Sequence, residues 1–181
     1  MGLSMRNGRA FWGAALLILL LDVATKYLAE RHLAMHVPVP VAGNFLRFTL
    51  AYNPGAAFSM SLGPYSRYIF GVFAAIALFV LWRLYRQTRP VEFMLPLGLG
   101  LAWGGAAGNL VDRIRSPRGV VDFIDIGTNA WRFWTFNIAD AGVTVGAVIL
   151  AWFLAREDAT KTPAGEAGPR GEPGGTSAGA A

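Results

Sequence analysis

Four apolar blocks, separated by stretches rich in proline, glycine or arginine, set the plan of this chain. From Ala10 to Leu21 every position is apolar, and helical spacing continues through Asp22-Val-Ala-Thr-Lys26 to about residue 30. Tyr68 to Trp82 is unbroken apolar sequence inside a block of 66–85. Two further blocks cover 93–112 and 136–155. A membrane helix needs about 20 consecutive apolar residues, so these blocks predict four spans at about 10–30, 66–85, 93–112 and 136–155. A cleaved signal peptide also opens with a basic head and an apolar stretch, but no small-x-small site follows the first block.

The intervening segments, 31–65 and 113–135, have a different pattern. Val37-Pro-Val-Pro is held extended by its prolines. In 45–52, Phe45, Arg47, Thr49 and Ala51 alternate with Leu46, Phe48, Leu50 and Tyr52, the period of a strand with one apolar face. Asn53-Pro-Gly marks a turn. Val120 to Ile126 reads as a second strand, and Trp131 and Trp134 suit the membrane interface. The residues from Glu157 onward are rich in Gly, Pro, Ala and charge and predict a disordered tail, 157–181, after a single membrane domain, 1–156.

Composition sharpens this picture. The chain is 54% hydrophobic and 15% charged, too apolar for a soluble domain of 181 residues. Its net charge of +5 does not imply nucleic acid, because the basic residues flank apolar blocks instead of forming one patch. With no cysteine, it has no disulfide, thiolate site or cysteine nucleophile. Charge does not fix orientation. Eight Lys/Arg fall with the termini and the second-to-third connection, and eight with the other two connections, leaving only the dense arginines of 83–89 to favour that side as cytoplasmic.

The candidate chemistry lies in polar residues at one end of the spans. Asp140 sits at the lip of the last apolar block. A charge at mid-membrane costs roughly 2.5–3.5 kcal/mol and less near the interface, so an acid there calls for a function and a partner. The candidate partner is Asp122, in Gly119-Val-Val-Asp-Phe-Ile-Asp-Ile. Two aspartates at close range do not both ionise easily, so one keeps a proton while the other can take one from water. That supports amide hydrolysis with neither metal nor covalent intermediate. Asp22, Lys26, Asn53, Asn109, Asp112, Arg113 and Asn137 fall at the same face, and Asn137, Asp140 and Thr144 share a helical face by spacing. Other polar residues read as structural: Asp22 with Lys26 as an i,i+4 pair, Asp112 with Arg113 as an ion pair, and Asp125 as a solvated loop residue. His32 and His36 lack a zinc-protease pattern and read as surface residues. Gly100, Gly104 and Gly108 form a ridge suited to close helix packing. A proton-coupled carrier would place its acids near mid-span, often within an internal repeat, and neither is visible.

The short motifs, taken together, resemble the lipoprotein signal peptidase (signal peptidase II) family over about residues 10–155. They are Asp22-Val-Ala-Thr-Lys26, Asn53-Pro-Gly-Ala-Ala-Phe-Ser59, Gly108-Asn-Leu-Val-Asp-Arg113, Val120-Val-Asp-Phe123 and Phe136-Asn-Ile-Ala-Asp140. Each is short, but five in this order between four spans are specific. Val23 departs from the polar residue often found there. The resemblance implies an α-helical integral membrane protein of four transmembrane helices with a small extracytoplasmic β-rich cradle. It implies an aspartyl endopeptidase of the bacterial inner membrane, with cytoplasmic termini. Asp122 and Asp140 would be catalytic, Asn53, Asn109, Arg113 and Asn137 would bind substrate or line the site, and Asp22, Lys26, Gly108 and Asp112 would support it. The implied substrates are diacylglyceryl prolipoproteins, cut on the amino side of the lipidated cysteine, and their acyl chains call for an apolar groove that the Gly100–Gly104–Gly108 ridge and the 45–52 strand would shape. The implied inhibitor is a globomycin-type cyclic peptide. No metal or cofactor is expected, membrane lipid is the surroundings, and the implied state is a monomer.

Overall fold

The computed structural model describes residues 5–55, 63–89 and 92–161. Four long helices, α1 (Met5–His32), α2 (Ser66–Arg86), α3 (Met94–Arg115) and α4 (Ile138–Lys161), carry a small antiparallel sheet. Its strands are β1 (Val39–Ala42), β2 (Leu46–Asn53) and β3 (Val120–Ile126), in the order β1-β2-β3. All four helices are long and apolar enough to cross a membrane. Part of the Asn53 motif, Ala56 to Ser59, lies outside the described residues, as does the predicted tail beyond Lys161. Residues 157–161 belong to α4, which runs past the predicted end at Ala155.

α3 is the central post and packs against the other three helices. The reason is its glycines. A Cβ on Gly100 or Gly104 would strike the backbone of Phe11 or Ala15 in α1, and one on Gly105 would strike the backbone of Ala139 in α4. Lipid tails are as apolar as leucine, so helices associate in a bilayer by close fit, and small residues permit it. The Gly100–Gly104–Gly108 ridge is therefore filled by α1 and is not an open groove for acyl chains. α2 leans mainly on α3, with its end tied to α1 where Tyr85 stacks on Phe11, and Val72, Phe73, Ile76 and Phe79 turn outward as a lipid-facing belt.

The sheet tethers the functional end of the bundle. β1, an edge strand, was legible only as an extended Pro-rich segment. Pro40 is tolerated there because an edge strand leaves one row of hydrogen-bonding groups unused. Val121 and Phe123 of β3 join Leu50 of β2 and Ala29 of α1 in a small buried cluster. Strand alternation turns Asp122 to the opposite side. The carbonyl of Phe136 accepts the N–H groups of both Phe123 and Ile124, at 3.0 and 2.8 Å. Phe136 thus closes the sheet rather than opening α4, and the chain enters the helix one residue beyond Asn137.

Candidate active site

The start of α4 builds the centre of the site. Asn137 caps the helix: its Oδ1 accepts the N–H of Asp140 at 2.9 Å, while Asp140 Oδ2 reaches back to accept the N–H of Asn137 at 3.2 Å. This reciprocal capping box satisfies two otherwise orphaned donors and aims the Asp140 carboxylate off the helix end. A third donor, the N–H of Ala139, is taken by Asp22 Oδ1 of α1 at 2.8 Å. A carboxylate at a helix N-terminus is favoured by the helix dipole, which explains why a fully buried Asp22 is tolerated. Gly108 is required by the same arrangement, because a Cβ there would collide with Asp22.

Asp22 also holds Lys26. The Lys26 ammonium, 1% exposed, lies 2.7 Å from Asp22, 2.8 Å from Asp112 and 2.9 Å from Asn109 Oδ1. Asn109 in turn donates from Nδ2 to Asp140 Oδ1 at 2.8 Å. Asp112 does not pair with its neighbour Arg113. On a helix, adjacent residues point different ways. Asp112 instead binds Lys26 and Arg115 and accepts the N–H of Val121 in β3 at 3.2 Å. Arg115 continues to Glu30 at 2.9 Å, and Glu30 to the Tyr52 hydroxyl. Arg113 turns to the other side, donating to the carbonyls of Asn109 and Gly55 at 3.0 and 2.9 Å. Its Nε is buried and, among the described residues, has no hydrogen-bond partner.

Asp122 arrives on β3, opposite Ala51 of β2. Asn137 Nδ2 donates to its Oδ1 at 2.7 Å. Asn137 therefore touches both acids, Asp122 by its side chain and Asp140 by its backbone. Burial pushes the Asp122 carboxyl up to about 7, the charge of Asp140 adds to the rise, and the amides of Asn137 and Asn53 pull it partly back. Asn53 is held in a turn, its Oδ1 accepting the N–H of Gly55.

All ten residues singled out from the sequence thus lie in one connected network at one end of the bundle. Asp125 does not lie at a solvated loop. It is buried in β3, where Arg47, Thr49 and Arg132 all bond its carboxylate. The facing of Arg47 and Asp125 across two strands was readable only once register was known. The Glu30–Arg115 arm was also missed, because its partners lie far apart in the chain. His32 and His36 are exposed. Among the described residues, no group of three or more His, Cys, Asp or Glu is placed to hold a metal ion.

A helical bundle with two aspartates linked at the rim of its membrane spans has the architecture of an intramembrane aspartic-type peptidase. The sequence model of Signal peptidase (SPase) II matches residues 14–156. The lipoprotein signal peptidase of Coxiella burnetii is 43% identical over 144 residues, 77% of this chain and 86% of that protein. That of Moorella thermoacetica is 39% identical over 155 residues, 85% of this chain and 94% of its own length. A solved bacterial membrane enzyme superposes with a TM-score of 0.75 at 28% identity, covering 82% of this chain and 89% of that one. The chain belongs to the signal peptidase II family. It is a multi-pass bacterial membrane protein with lipoprotein signal peptidase function.

Proposed function

We propose that Asp122 and Asp140 together hydrolyse the peptide bond on the amino side of a diacylglyceryl-cysteine in prolipoproteins, at the extracytoplasmic rim of the inner membrane. The observation that carries this reading is the single residue Asn137 bonded to both acids. Asp140 acts as the base: both its oxygens receive N–H donors, as suits an ionised carboxylate. Asp122, raised to about 7, holds the proton at rest. Asp140 takes a proton from water as the water oxygen attacks the amide carbon. Asp122 gives its proton to the carbonyl oxygen, forming a neutral tetrahedral intermediate. On collapse the C–N bond breaks, the leaving nitrogen takes the proton held by Asp140, and the hydroxyl proton returns to Asp122.

The buried, unpartnered Nε of Arg113 supports a role in holding a substrate carbonyl. Asn53 and Asn137 line the acid pair. The lipid chains of the substrate would lie along α3 between α2 and α4, two helices with scarcely a backbone approach to each other. A globomycin-type cyclic peptide would compete for the same place, with the enzyme acting as a monomer among membrane lipids. The dense arginines Arg83, Arg86 and Arg89 at the opposite end of the bundle support the orientation in which that end and both termini face the cytoplasm.

The test is cleavage of a diacylglyceryl prolipoprotein by purified protein in detergent. Asp122→Asn and Asp140→Asn should each lose at least about 100-fold in kcat, and unmodified precursor should remain uncut by the wild type. Wild-type rates in either variant would remove the pair from the chemistry.

A further inference from the structure

Lys26 has three N–H donors and three acceptors around it: Asp22, Asp112 and Asn109 Oδ1. It is 1% exposed and enclosed by these three partners, so it does not face substrate or water. Its influence on the reaction runs through Asn109. An ammonium carries no acceptor, so only the oxygen of an amide can face it. Asn137 Nδ2 also points at that oxygen, at 3.2 Å. With Oδ1 held by the Lys26 ammonium, the other end of the amide is turned to Asp140 Oδ1.

We infer that Lys26 is a positioning residue which locks the Asn109 amide with its N–H end toward Asp140, so that this carboxylate meets a donor and never a carbonyl oxygen. The inference deepens the two-aspartate reading and rests on it. A flipped Asn109 would set its NH2 against Lys26 and Asn137 and its oxygen against Asp140, which is unfavourable at all three contacts. The lock also spans two helices, since Lys26 belongs to α1 and Asn109 to α3. The packing of α1 into the glycine ridge is thereby transmitted to the reacting acid on α4. Asn109, which the family resemblance placed on the substrate backbone, has both ends of its amide engaged inside this lock.

The charged groups around Asp140 are Asp22 and Lys26 from α1, Asp112 and Arg113 from α3, and Asp122 from β3. Removing Lys26 therefore changes charge as well as orientation, and the test must separate the two. The full chain is purified in detergent and assayed on diacylglyceryl prolipoprotein across pH, as Lys26→Met, Asn109→Ala, the double variant and Asn109→Asp. Lys26→Met should lose roughly 10- to 100-fold in kcat, the worth of one charge-assisted hydrogen bond, with a smaller change in KM. The acid limb of its kcat/KM profile should move to higher pH, because a base facing an oxygen holds its proton more tightly. The double variant should be no slower than Asn109→Ala, since both changes remove the same contact.

Asn109→Asp keeps every partner of Lys26 and sets an oxygen against Asp140 but adds a negative charge. It is therefore read beside Asn109→Ala, which removes the donor at unchanged charge, and the pair answers the question even where Lys26→Met does not fold. Asn109→Asp should show the same loss of kcat and the same upward move of the acid limb. Losses that multiply in the double variant, or an unmoved acid limb in Asn109→Asp, would overturn the lock. Wild-type cleavage by Asp122→Asn or Asp140→Asn would instead overturn the underlying reading, so the two failures are told apart.

Discussion

Asp125→Asn is the sharpest test of how the sheet holds the reactive strand. The native carboxylate accepts Arg132 Nε at 2.6 Å, Arg47 Nη2 at 2.9 Å and Nε at 3.1 Å, and the Thr49 hydroxyl at 3.1 Å. Arg132 goes on to bond the carbonyl of Asn44, so one acid ties β2, β3 and the segment leading to α4. An asparagine keeps the shape but loses the charge and one of the two acceptor oxygens. Breaking a buried ion pair costs about 3–5 kcal/mol, and hydrogen bonds to charged groups are worth about 1.5–3 kcal/mol. Arg47 and Arg132 are each about a fifth exposed, which screens the interaction. A loss of about 2–3 kcal/mol is therefore expected. At about 2–4 °C per kcal/mol for a chain of this length, Tm should fall by roughly 4–12 °C near neutral pH. The assay is thermal unfolding in detergent followed by tryptophan fluorescence, which Trp131 and Trp134 report from beside the clasp. Its pH dependence is a second constraint. Burial works against the Asp125 charge, but Arg132, Arg47 and Thr49 outweigh it and hold the carboxyl below its ordinary 3.8. Stability from a depressed carboxyl is fully present above the unfolded value and is lost as pH falls through the folded one. The Tm gap between wild type and variant should thus be full near neutrality and shrink as pH drops below 3.8. A gap of under about 1 °C at neutral pH, or one unchanged well below that value, would refute the reasoning.

Two further outcomes follow from the same geometry. Asp122 has a raised carboxyl, so the native state binds its proton more tightly than the unfolded chain, and that stabilisation is lost as pH rises through about 7. Asp122→Asn should therefore be more heat-stable than wild type at about pH 9, with the advantage fading toward about pH 5; an equal advantage at both would contradict it. Gly104→Ala must push α1 away from α3, because its Cβ would meet the Ala15 carbonyl, whereas Gly13→Ala finds nothing within 4 Å. The first should cost about 1–3 kcal/mol and lower cleavage, the second should be neutral or slightly stabilising, and thermal unfolding of both variants in one detergent would check the contrast.

The parts legible from the sequence are those fixed by local pattern. Apolar block length gave the four helices, alternation gave β2 and β3, and the cost of an acid at an apolar lip pointed to Asp140. The parts that were not legible depend on facing. Asp112 was read with its neighbour Arg113, but helix geometry sends the two side chains apart, and Lys26 takes Asp112 instead. Asp125 was read as solvated although it falls within the expected strand 120–126, because nothing in its local sequence shows a partner. Its three donors come from residues 47, 49 and 132, and only strand register brings them together. The spacing of the glycine ridge suits either a helix neighbour or a lipid chain, and only the packing of α1 into it decides between them. Asn137 and Asp140 were read as sharing a helical face. They do meet, but as a cap and its third residue, with the side chain of Asp140 folded back.

That last correction explains why Asp140 sits where it does. A helix beginning near a bilayer leaves N–H groups that lipid cannot satisfy, so polar side chains must come to them. In α4 those groups are met by Asn137 and by Asp22, and the return contact to the cap comes from Asp140 itself. The capping requirement therefore gathers a carboxylate, an amide and a second helix at one point before any substrate arrives. Lys26 pairs with Asp22, which accepts the Ala139 N–H, and donates to Asn109, whose other end is turned toward Asp140. Helix capping and catalysis draw on the same few side chains. A substitution anywhere in Asp22, Lys26, Gly108 or Asn137 must then disturb the folding of α4 and the charge at Asp140 together, and activity should fall more steeply than stability across such a series.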